Sequence, residues 1–472
     1  MSQYQSRTDD EGARILVIGA GPTGLVAGWK LAERGHAVTI IERAPFPGGM
    51  SASFKIAGQR VDFGSHRLHG KADPGLLAEL RGLMGDDLQT RQRNGRIRLA
   101  GKWVGFPLRT GDLVKHLPRR FAAGAAFDSL TAPLRKPESE NFESVVRAGL
   151  GPTVFDAFYR PYARKLWGVE ASEIDGSMAQ RRVSAGGPID IAKRLLAARA
   201  EEGRVFYYPR TGYGQITESL TDAVATAGGN LRCNATMTSL SLAGGVSATI
   251  EGDSGSEVLE ADVIVSTVPV QHLVRISQPE PDPSVVAAAE SLEHRGMVFV
   301  YLVVPRDRYT AFDAHYFPGL DTDVARLSEP KNYRDGPDTP GQTVLCAEIA
   351  CGVDDELWAM SDADLGDLVA KQLVEQGLPE PEHTEVHVRR LGAVYPLYRS
   401  GYRDHLDVIE RWAGTHENLI TTGRQGLFVP DNLHHTVAMG RAAAESIRAD
   451  GTIDQQRWAQ SRETFRAHVV ED

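Results

Sequence analysis

A group of residues near the start of the chain has the types and spacing of a nucleotide site. Gly19-x-Gly21-x-x-Gly24 follows the apolar run Arg14-Ile-Leu-Val-Ile18, with Pro22 and Thr23 completing the loop. In such a loop the first glycine makes the turn and the second lets backbone approach a pyrophosphate. The third lets a helix pack on the sheet, and the helix N-terminus supplies amides and positive potential. Glu42 ends a second apolar run, Ala37-Val-Thr-Ile-Ile41, where a carboxylate accepts from ribose hydroxyls; Arg43 follows it. Leu25, not lysine, comes after Gly24, which excludes a phosphate-loop NTPase.

A second chemical feature is a cluster of arginines in Thr90-Arg-Gln-Arg-Asn-Gly-Arg-Ile-Arg-Leu99. Asn94-Gly95 suits a two-residue hairpin turn. That register would pair Arg93 with Arg96 and Arg91 with Arg98, all on one face. Like charges opposed across strands repel, so an anion should compensate. Two compensators fit: neighbouring acids such as Asp86 and Asp87, or an anionic substrate such as a sugar diphosphate or lipid phosphate. His434-His435 has no third ligand at metal spacing, so no metal site is assigned. There is no H-E-x-x-H and no G-x-S-x-G.

The elements that would position these groups are legible. Leu25, Ala27, Leu31 and Ala32 have helical spacing and Gly35-His36 ends the helix, giving strand–helix–strand in about 30 residues. Later, Thr217 to Thr226 reads as a helix ended by Gly228-Gly229-Asn230. Leu231 to Leu240 and Val246 to Ile250 read as strands, and Ala261 to Pro269 as a buried strand. Asn418 to Thr422 reads as a strand entering Gly423-Arg424, followed by a helix from His435 to Arg448. Gly296 to Val304 and Thr343 to Ile349 are a candidate strand pair, separated by a Pro/Asp/Gly-rich loop at Asp335 to Gly341. Pro107 to Pro133 carries Arg109, Lys115, Arg119 and Arg120 among apolar residues. It suits a plain helical subdomain, or an amphipathic helix at a membrane surface or over a hydrophobic channel.

Composition narrows the class. The 472 residues carry a net charge of −10, which disfavours nucleic acid as a partner. Three cysteines, Cys233, Cys346 and Cys351, form no C-x-x-C pair and no disulfide framework. No run approaches the ~20 apolar residues of a membrane span, and the polar N-terminus lacks a signal-peptide core. A reduced, cytoplasmic enzyme acting on a small molecule is expected, with peripheral membrane contact left open. Glycine is unusually common, at 48 residues.

A second glycine doublet, in Pro45-Phe-Pro-Gly-Gly-Met-Ser51, puts Gly48, Gly49 and Met50 six residues beyond Glu42. Here the chain begins to resemble the flavoprotein superfamily of amine oxidases, protoporphyrinogen oxidases, carotenoid desaturases and UDP-galactopyranose mutases. The resemblance covers most of the chain. Asp62-Phe-Gly-Ser-His-Arg-Leu-His69 looks like the segment beside the flavin, which implies roles for Gly64, Ser65 and His66. Tyr159-Arg-Pro-Tyr-Ala-Arg-Lys-Leu-Trp-Gly168 resembles a motif shared by the mutases and the bacterial protoporphyrinogen-oxidase-like proteins. Tyr208-Pro-Arg-Thr-Gly-Tyr-Gly-Gln215 looks like their glycine-rich lead into the returning nucleotide domain. The strand around Met237 matches the one whose backbone meets adenine. Tyr395-Pro-Leu-Tyr398 and Gly423-Arg-Gln-Gly-Leu-Phe428 match the segments around the isoalloxazine.

The resemblance implies FAD as cofactor. A flavin needs a cation near N1/O2 to hold its reduced, anionic ring, and Arg424 at a strand end fits; a surface ion pair is the alternative. The helix at Thr436 and Met439 would direct its positive end the same way. His66 is either a flavin or substrate contact or a hydrogen-bonded structural histidine. Trp167 and Tyr395 match residues that face the sugar nucleotide in the resembling mutases, and Tyr159 belongs to the same aromatic set as a candidate for the substrate pocket; by spacing alone such aromatics are core. Ala163-Arg164, and Leu427-Phe428 with Pro430, depart from the mutase pattern of Thr-Glu and of tyrosines.

The expected architecture is α/β. A Rossmann-like FAD-binding domain is assembled from residues 10–75, 205–275 and 405–450. An interleaved α+β substrate or cap domain is built from 76–204 and 276–404, and 451–472 is a polar tail. The expected activity is FAD-dependent oxidation of a C–N or C–C bond of a small, sugar-containing or lipophilic metabolite. The alternative is a non-redox sugar isomerase of the mutase kind.

Overall fold

The computed structural model describes residues 12–70, 72–107, 116–183, 205–243 and 245–470. The chain divides into two units, each made of separated segments. The first gathers Met1–Ala52, Ile216–Leu292 and Arg403–His468. The second gathers Ser53–Gln215, Glu293–Tyr402 and Val469–Asp472. Residues 53–75 and 205–215, expected with the nucleotide-binding segments, make their contacts in the second unit. The reason is pairing with segments of the second unit: Val205–Pro209 pairs with Leu88–Gln92, Tyr301 donates to the Asp62 carbonyl (2.7 Å), and the Ser65 amide donates to Glu348.

The first unit is built on a five-stranded sheet. Strand β1 (Arg14–Ile18) is buried along four of its five residues, as its apolar run requires. Helix α1 (Pro22–Glu33) follows, then strand β2 (Ala37–Ile41). The sheet order is Asn230–Arg232, β2, β1, Val263–Ser266, Leu419–Thr421, with every neighbouring pair parallel. Parallel strands covered on both faces read as continuous apolar runs, which is why β1, β2 and Val263–Ser266 stood out in the sequence. The helix Leu433–Glu445 packs on α1 at small residues. A Cβ on Gly440 would lie 2.5 Å from the Thr23 carbonyl oxygen, so only glycine permits this approach.

The single strand expected over Leu231 to Leu240 is two strands, Asn230–Arg232 and Thr236–Ser241, in different sheets. Asn234 between them has a φ of 51°, which breaks the extended run. Thr236–Ser241 joins a four-stranded sheet with Val246–Gly252, Gly255–Ala261 and Ser277–Gln278. The polar segment after Asp450, expected as a tail, contains the helix Gln455–Arg466, anchored by buried Trp458 and Phe465.

The second unit is organised by a seven-stranded sheet. Its order is Glu385–Leu397, Glu293–Val304, Thr343–Cys351, Arg326–Ser328, Ala314–Tyr316, Gly95–Leu99, Lys102–Phe106. Glu293–Val304 and Thr343–Cys351 are antiparallel, with Gly296 opposite Cys351, so the expected strand pair forms. One face buries Val298, Val300, Leu302, Leu345, Ala347 and Ile349 against Leu365, Val369 and Leu373 of the helix Asp362–Glu375. The other face carries a polar row in register: Phe299 opposite Glu348, Glu348 opposite Arg326, Arg326 opposite Tyr316.

The expected arginine hairpin does not form. Leu88–Gln92 pairs with Val205–Pro209, whereas Gly95–Leu99 pairs with Lys102–Phe106 and with Ala314–Tyr316. The chain therefore crosses between two sheets at Arg93-Asn94. Asn94 is tied down by its backbone amide donating to Asp313 Oδ2 (2.9 Å) and its side-chain amide donating to the Ala311 carbonyl (2.6 Å). The hairpin turn is one step later, at Ala100-Gly101, both at positive φ. Arg109 and Lys115 lie outside the described residues. Arg119 and Arg120 begin the helix Arg119–Thr131. Among the described residues no helix is long and apolar enough to cross a membrane.

Candidate functional site

The first unit brings most of the expected cofactor residues together. Gly19 turns at a φ of 99°, with its amide donating to the Ile41 carbonyl (2.8 Å). Pro22 occupies the first turn of α1 without loss, since amides there have no intrahelical acceptor. Gly24 faces back onto the loop: a Cβ there would lie 2.0 Å from the Gly19 carbonyl oxygen. At Gly21 a Cβ would meet nothing within 4 Å. The loop is closed on its inner side and open on its outer side.

The second doublet is laid against this loop. The Gly48 amide donates to the Ala20 carbonyl (2.8 Å), and a Cβ on Gly49 would stand 3.4 Å from the Gly21 Cα. Met50 is half-buried in the short turn Gly49–Ser51. Glu42 is held by two backbone amides: Ala20 donates to Oε2 and Ala44 to Oε1, both at 2.9 Å. A carboxylate oxygen has a second lone pair, so each can still accept a ribose hydroxyl. Arg43 is exposed beside it.

The C-terminal segment joins the same loop. A Cβ on Gly423 would be 3.2 Å from Thr23 Oγ1, and that hydroxyl donates to the Thr436 carbonyl (3.0 Å). Thr436 Oγ1 donates to the Leu433 carbonyl (2.7 Å), and Met439 is fully buried. The helix Leu433–Glu445 is capped by Asn432 and His435, whose Nδ1 accepts from the Asn432 amide (3.1 Å). Burial, with His434 and His468 adjacent, pushes His435 down to about 2 and keeps the cap neutral. Arg424 donates from Nε to Asp431 Oδ1 (2.5 Å) and from an Nη to the Asp431 carbonyl (2.8 Å). Asp431 is buried, so this is a positioning pair rather than a surface one. Met237 packs its side chain into the core with Leu16, Ile18 and Ile41, next to a register shift in its strand.

The remaining expected residues belong to the second unit. Gly64 and Ser65 lie on the polar face of the seven-stranded sheet. The Ser65 amide donates to Glu348 Oε1 (2.7 Å), and the Ser65 hydroxyl is 2.5 Å from the Tyr333 hydroxyl. His66 stacks on Tyr213 with centroids 5.2 Å apart. Trp167 is buried edge-on against Phe142 (5.4 Å), and Tyr159 packs beside the same ring (6.3 Å). Tyr395 is half-buried under the Arg182 guanidinium, 5.3 Å from its ring. Arg96 lies between the rings of Trp103 (4.3 Å) and Phe312 (4.4 Å), while Arg93 lies over Phe106 (5.8 Å). Arg91 pairs with Asp335 (2.5 Å) and Arg98 donates to the Gln376 carbonyl (2.5 Å). Arg96 and Arg98 share one face of their strand and both lie over Trp103 (4.3 and 5.9 Å), but Arg91 is on a strand of another sheet and Arg93 is at the crossover, so the four do not share one face.

The structure adds residues that the sequence reading passed over. Arg326 grips Glu348 with two parallel bonds of 2.8 Å each. Tyr316 lies 5.9 Å from that guanidinium. Glu348 is the only charged residue in the apolar strand Thr343–Cys351; a lone carboxylate in a buried strand must be paired, and that was a usable signal. Lys165 donates to the Phe317 (2.6 Å) and Val324 (3.0 Å) carbonyls, and burial pushes its ammonium down to about 7. It lies inside the Tyr159–Gly168 motif, but the sequence reading assigns it no role there. No cluster of metal-ligating side chains exists among the described residues.

An inward-closed, outward-open glycine loop, a second glycine turn against it and a fixed carboxylate at the end of β2 define a dinucleotide-binding flavoprotein. The open space at Gly21 and the free lone pairs of Glu42 fit the pyrophosphate and ribose of FAD. The chain belongs to the flavin containing amine oxidoreductase family, whose model matches residues 22–424, and FAD is its cofactor. It is 24% identical over 222 residues to a Klebsiella pneumoniae protein assigned as a UDP-galactopyranose mutase, covering 44% of this chain and 53% of that one. The matches span 53% to 61% of the length of the first curated relatives. The fold is that of a reduced UDP-galactopyranose mutase, with a TM-score of 0.79, 21% identity, and 97% of this chain and 100% of the other covered. An Exiguobacterium protein assigned as a protoporphyrinogen oxidase follows at a TM-score of 0.70 and 18% identity, covering 92% and 98%.

Proposed function

We propose that this chain is an FAD-dependent oxidoreductase. It oxidises a C–N or C–C single bond of a small, sugar-containing or lipophilic metabolite to a double bond: a hydride leaves carbon, a proton leaves the adjacent N–H or C–H, and the two electrons pass on to oxygen or a carrier. FAD, when bound, supplies the two-electron acceptor for this chemistry. The chain's own residues bind and orient. The amides at the start of α1 address the pyrophosphate, and Glu42 accepts from the ribose. Arg424, aimed by Asp431, keeps a positive charge beside Gly423. His66, Tyr159, Trp167, Tyr395, Arg93 and Arg96 are the proposed substrate residues, with Arg326 added from the polar sheet face and Arg182 from the helical turn Ala179–Val183 over Tyr395.

The observation that carries oxidation over isomerisation is the segment after Arg424. Leu427, Phe428, Val429 and Pro430 are all buried and offer no side-chain hydroxyl. The sugar mutases carry tyrosines in this segment. The second reading, a flavin-dependent sugar mutase, draws on the Tyr159–Gly168 motif and on the mutase relative. One experiment separates them. The purified holoenzyme is mixed anaerobically with candidate substrates and the oxidised flavin band is followed. Bleaching by substrate supports the oxidoreductase. Turnover that needs prior dithionite reduction and yields an isomer overturns it.

A further inference from the structure

The helix Arg119–Thr131 and the turn after it carry the most exposed apolar surface among the described residues. Leu134 is 84% exposed, Leu130 81% and Phe127 66%, the three highest values among large apolar side chains. Exposed Ala123, Phe127 and Leu130 follow one another at spacings of four and three, which is one stripe on the helix face, and Leu134 lies exposed in the turn Ala132–Leu134 that continues the helix. A stripe of this kind marks an interaction site, because isolated surface leucines do not line up.

The opposite face of the helix is fixed inward, so the stripe cannot turn into the protein. Asp128 is 5% exposed and its Oδ2 accepts from the Thr153 amide (2.8 Å). A Cβ on Gly124 would lie 2.7 Å from Thr153 Oγ1, so this face is in tight contact. Arg135 donates to the Asp128 carbonyl (2.6 Å) and to Thr131 Oγ1 (2.7 Å), which locks the end of the helix.

Charge decides what covers the stripe. Arg119 and Arg120 at one end and Lys136 at the other are exposed, and no described carboxylate lies within 4.0 Å of them. The helix has one acid, Asp128, and it is buried. The whole chain is acidic, at −10, so this basic, apolar face is a local reversal. A second copy docked with parallel helices would set Arg119 and Arg120 against their own equivalents; an antiparallel copy would bring them to the end that carries Lys136 and the exposed Glu138 and Glu140, and is the dimer that light scattering looks for. A bilayer with anionic headgroups supplies both an apolar layer for Phe127, Leu130 and Leu134 and the missing negative charge.

We infer that the Arg119–Lys136 face docks on an anionic membrane surface, with the Phe127–Leu130–Leu134 stripe inserted at the headgroup boundary. The test is co-sedimentation of full-length holoenzyme with phosphatidylcholine vesicles, with and without phosphatidylserine. Binding is expected only with phosphatidylserine, weakening as salt rises. Leu130→Ser with Leu134→Ser should lower the partition coefficient by about tenfold or more. Arg119→Gln with Arg120→Gln and Lys136→Gln should abolish the preference for phosphatidylserine. An unchanged flavin spectrum and melting midpoint establish that each variant is folded; the charge variant decides the outcome should the leucine variant not fold. Three results overturn the inference. One is no sedimentation with phosphatidylserine vesicles. Another is binding that folded variants leave unchanged. The third is a dimer by light scattering that Leu130→Ser with Leu134→Ser converts to monomer.

Discussion

Replacing Gly21 and Gly24 separately by alanine should split binding from folding. The two glycines are three residues apart in one loop but face opposite environments. At Gly24 the new methyl would sit 2.0 Å from the Gly19 carbonyl oxygen, a backbone atom whose residue is tied to Ile41 at 2.8 Å. Something must move, and overpacking of this kind costs about 1–3 kcal/mol or more. At Gly21 the backbone is at φ −72°, ψ 175°, which alanine adopts freely, and no atom lies within 4 Å. Apo Gly21→Ala should therefore be as stable as the parent, or more stable by about 0.4–1 kcal/mol through a less flexible unfolded chain. Its methyl would instead occupy the space where backbone meets pyrophosphate. An overpacking cost of about 1–3 kcal/mol paid on binding corresponds to a Kd raised roughly 5- to 150-fold. Urea unfolding of the apoproteins and FAD titration by flavin fluorescence measure both quantities. Gly21→Ala binding FAD like the parent, or losing as much apo stability as Gly24→Ala, would refute the reasoning.

Two further outcomes follow from the second unit. Lys165 has its folded pKa lowered to about 7 from 10.5 by burial, so folding releases a proton between those values. Stability should rise with pH through that window, by up to about 1.4 kcal/mol per unit. Lys165→Met should flatten the slope, compared by urea unfolding at several pH values; parallel slopes would exclude a lowered lysine. Arg326→Met would strand Glu348, which is 4% exposed, with one remaining bond from Ser65. A loss of about 3–5 kcal/mol is expected, recovered in large part by adding Glu348→Leu. A double-mutant cycle showing no coupling would count against the pair.

Much of the nucleotide-binding unit was legible because its signals are local. The glycine loop, the apolar runs of β1 and β2 and the terminal Glu42 lie within about 30 residues, and each constrains backbone in a way a short sequence records. The candidate substrate face was less legible. Arg93, Asn94, Gly95 and Arg96 have the local pattern of a hairpin, yet the chain switches sheets there. Asp313 and Ala311, more than 200 residues away, hold Asn94, and no local rule carries that information. The strand break at Asn234 was missed for the opposite reason: it is local, but asparagine at positive φ leaves the apolar pattern on either side intact.

The sequence by itself determined that this is a flavin-dependent α/β protein with an interrupted nucleotide-binding unit. Glycine spacing and strand hydrophobicity follow from backbone sterics and burial, which act over a few residues. Only the tertiary structure decided which charges meet. It joined Glu348 to Arg326 and Ser65, fixed Arg424 by a buried Asp431, and placed Arg96 between Trp103 and Phe312. It also left Phe127, Leu130 and Leu134 on an outer face while Asp128 turned inward. Pairing and exposure depend on which segments pack, and the partners come from distant parts of the chain. An abundance of glycine announces close approach of backbone; the fold alone says what approaches.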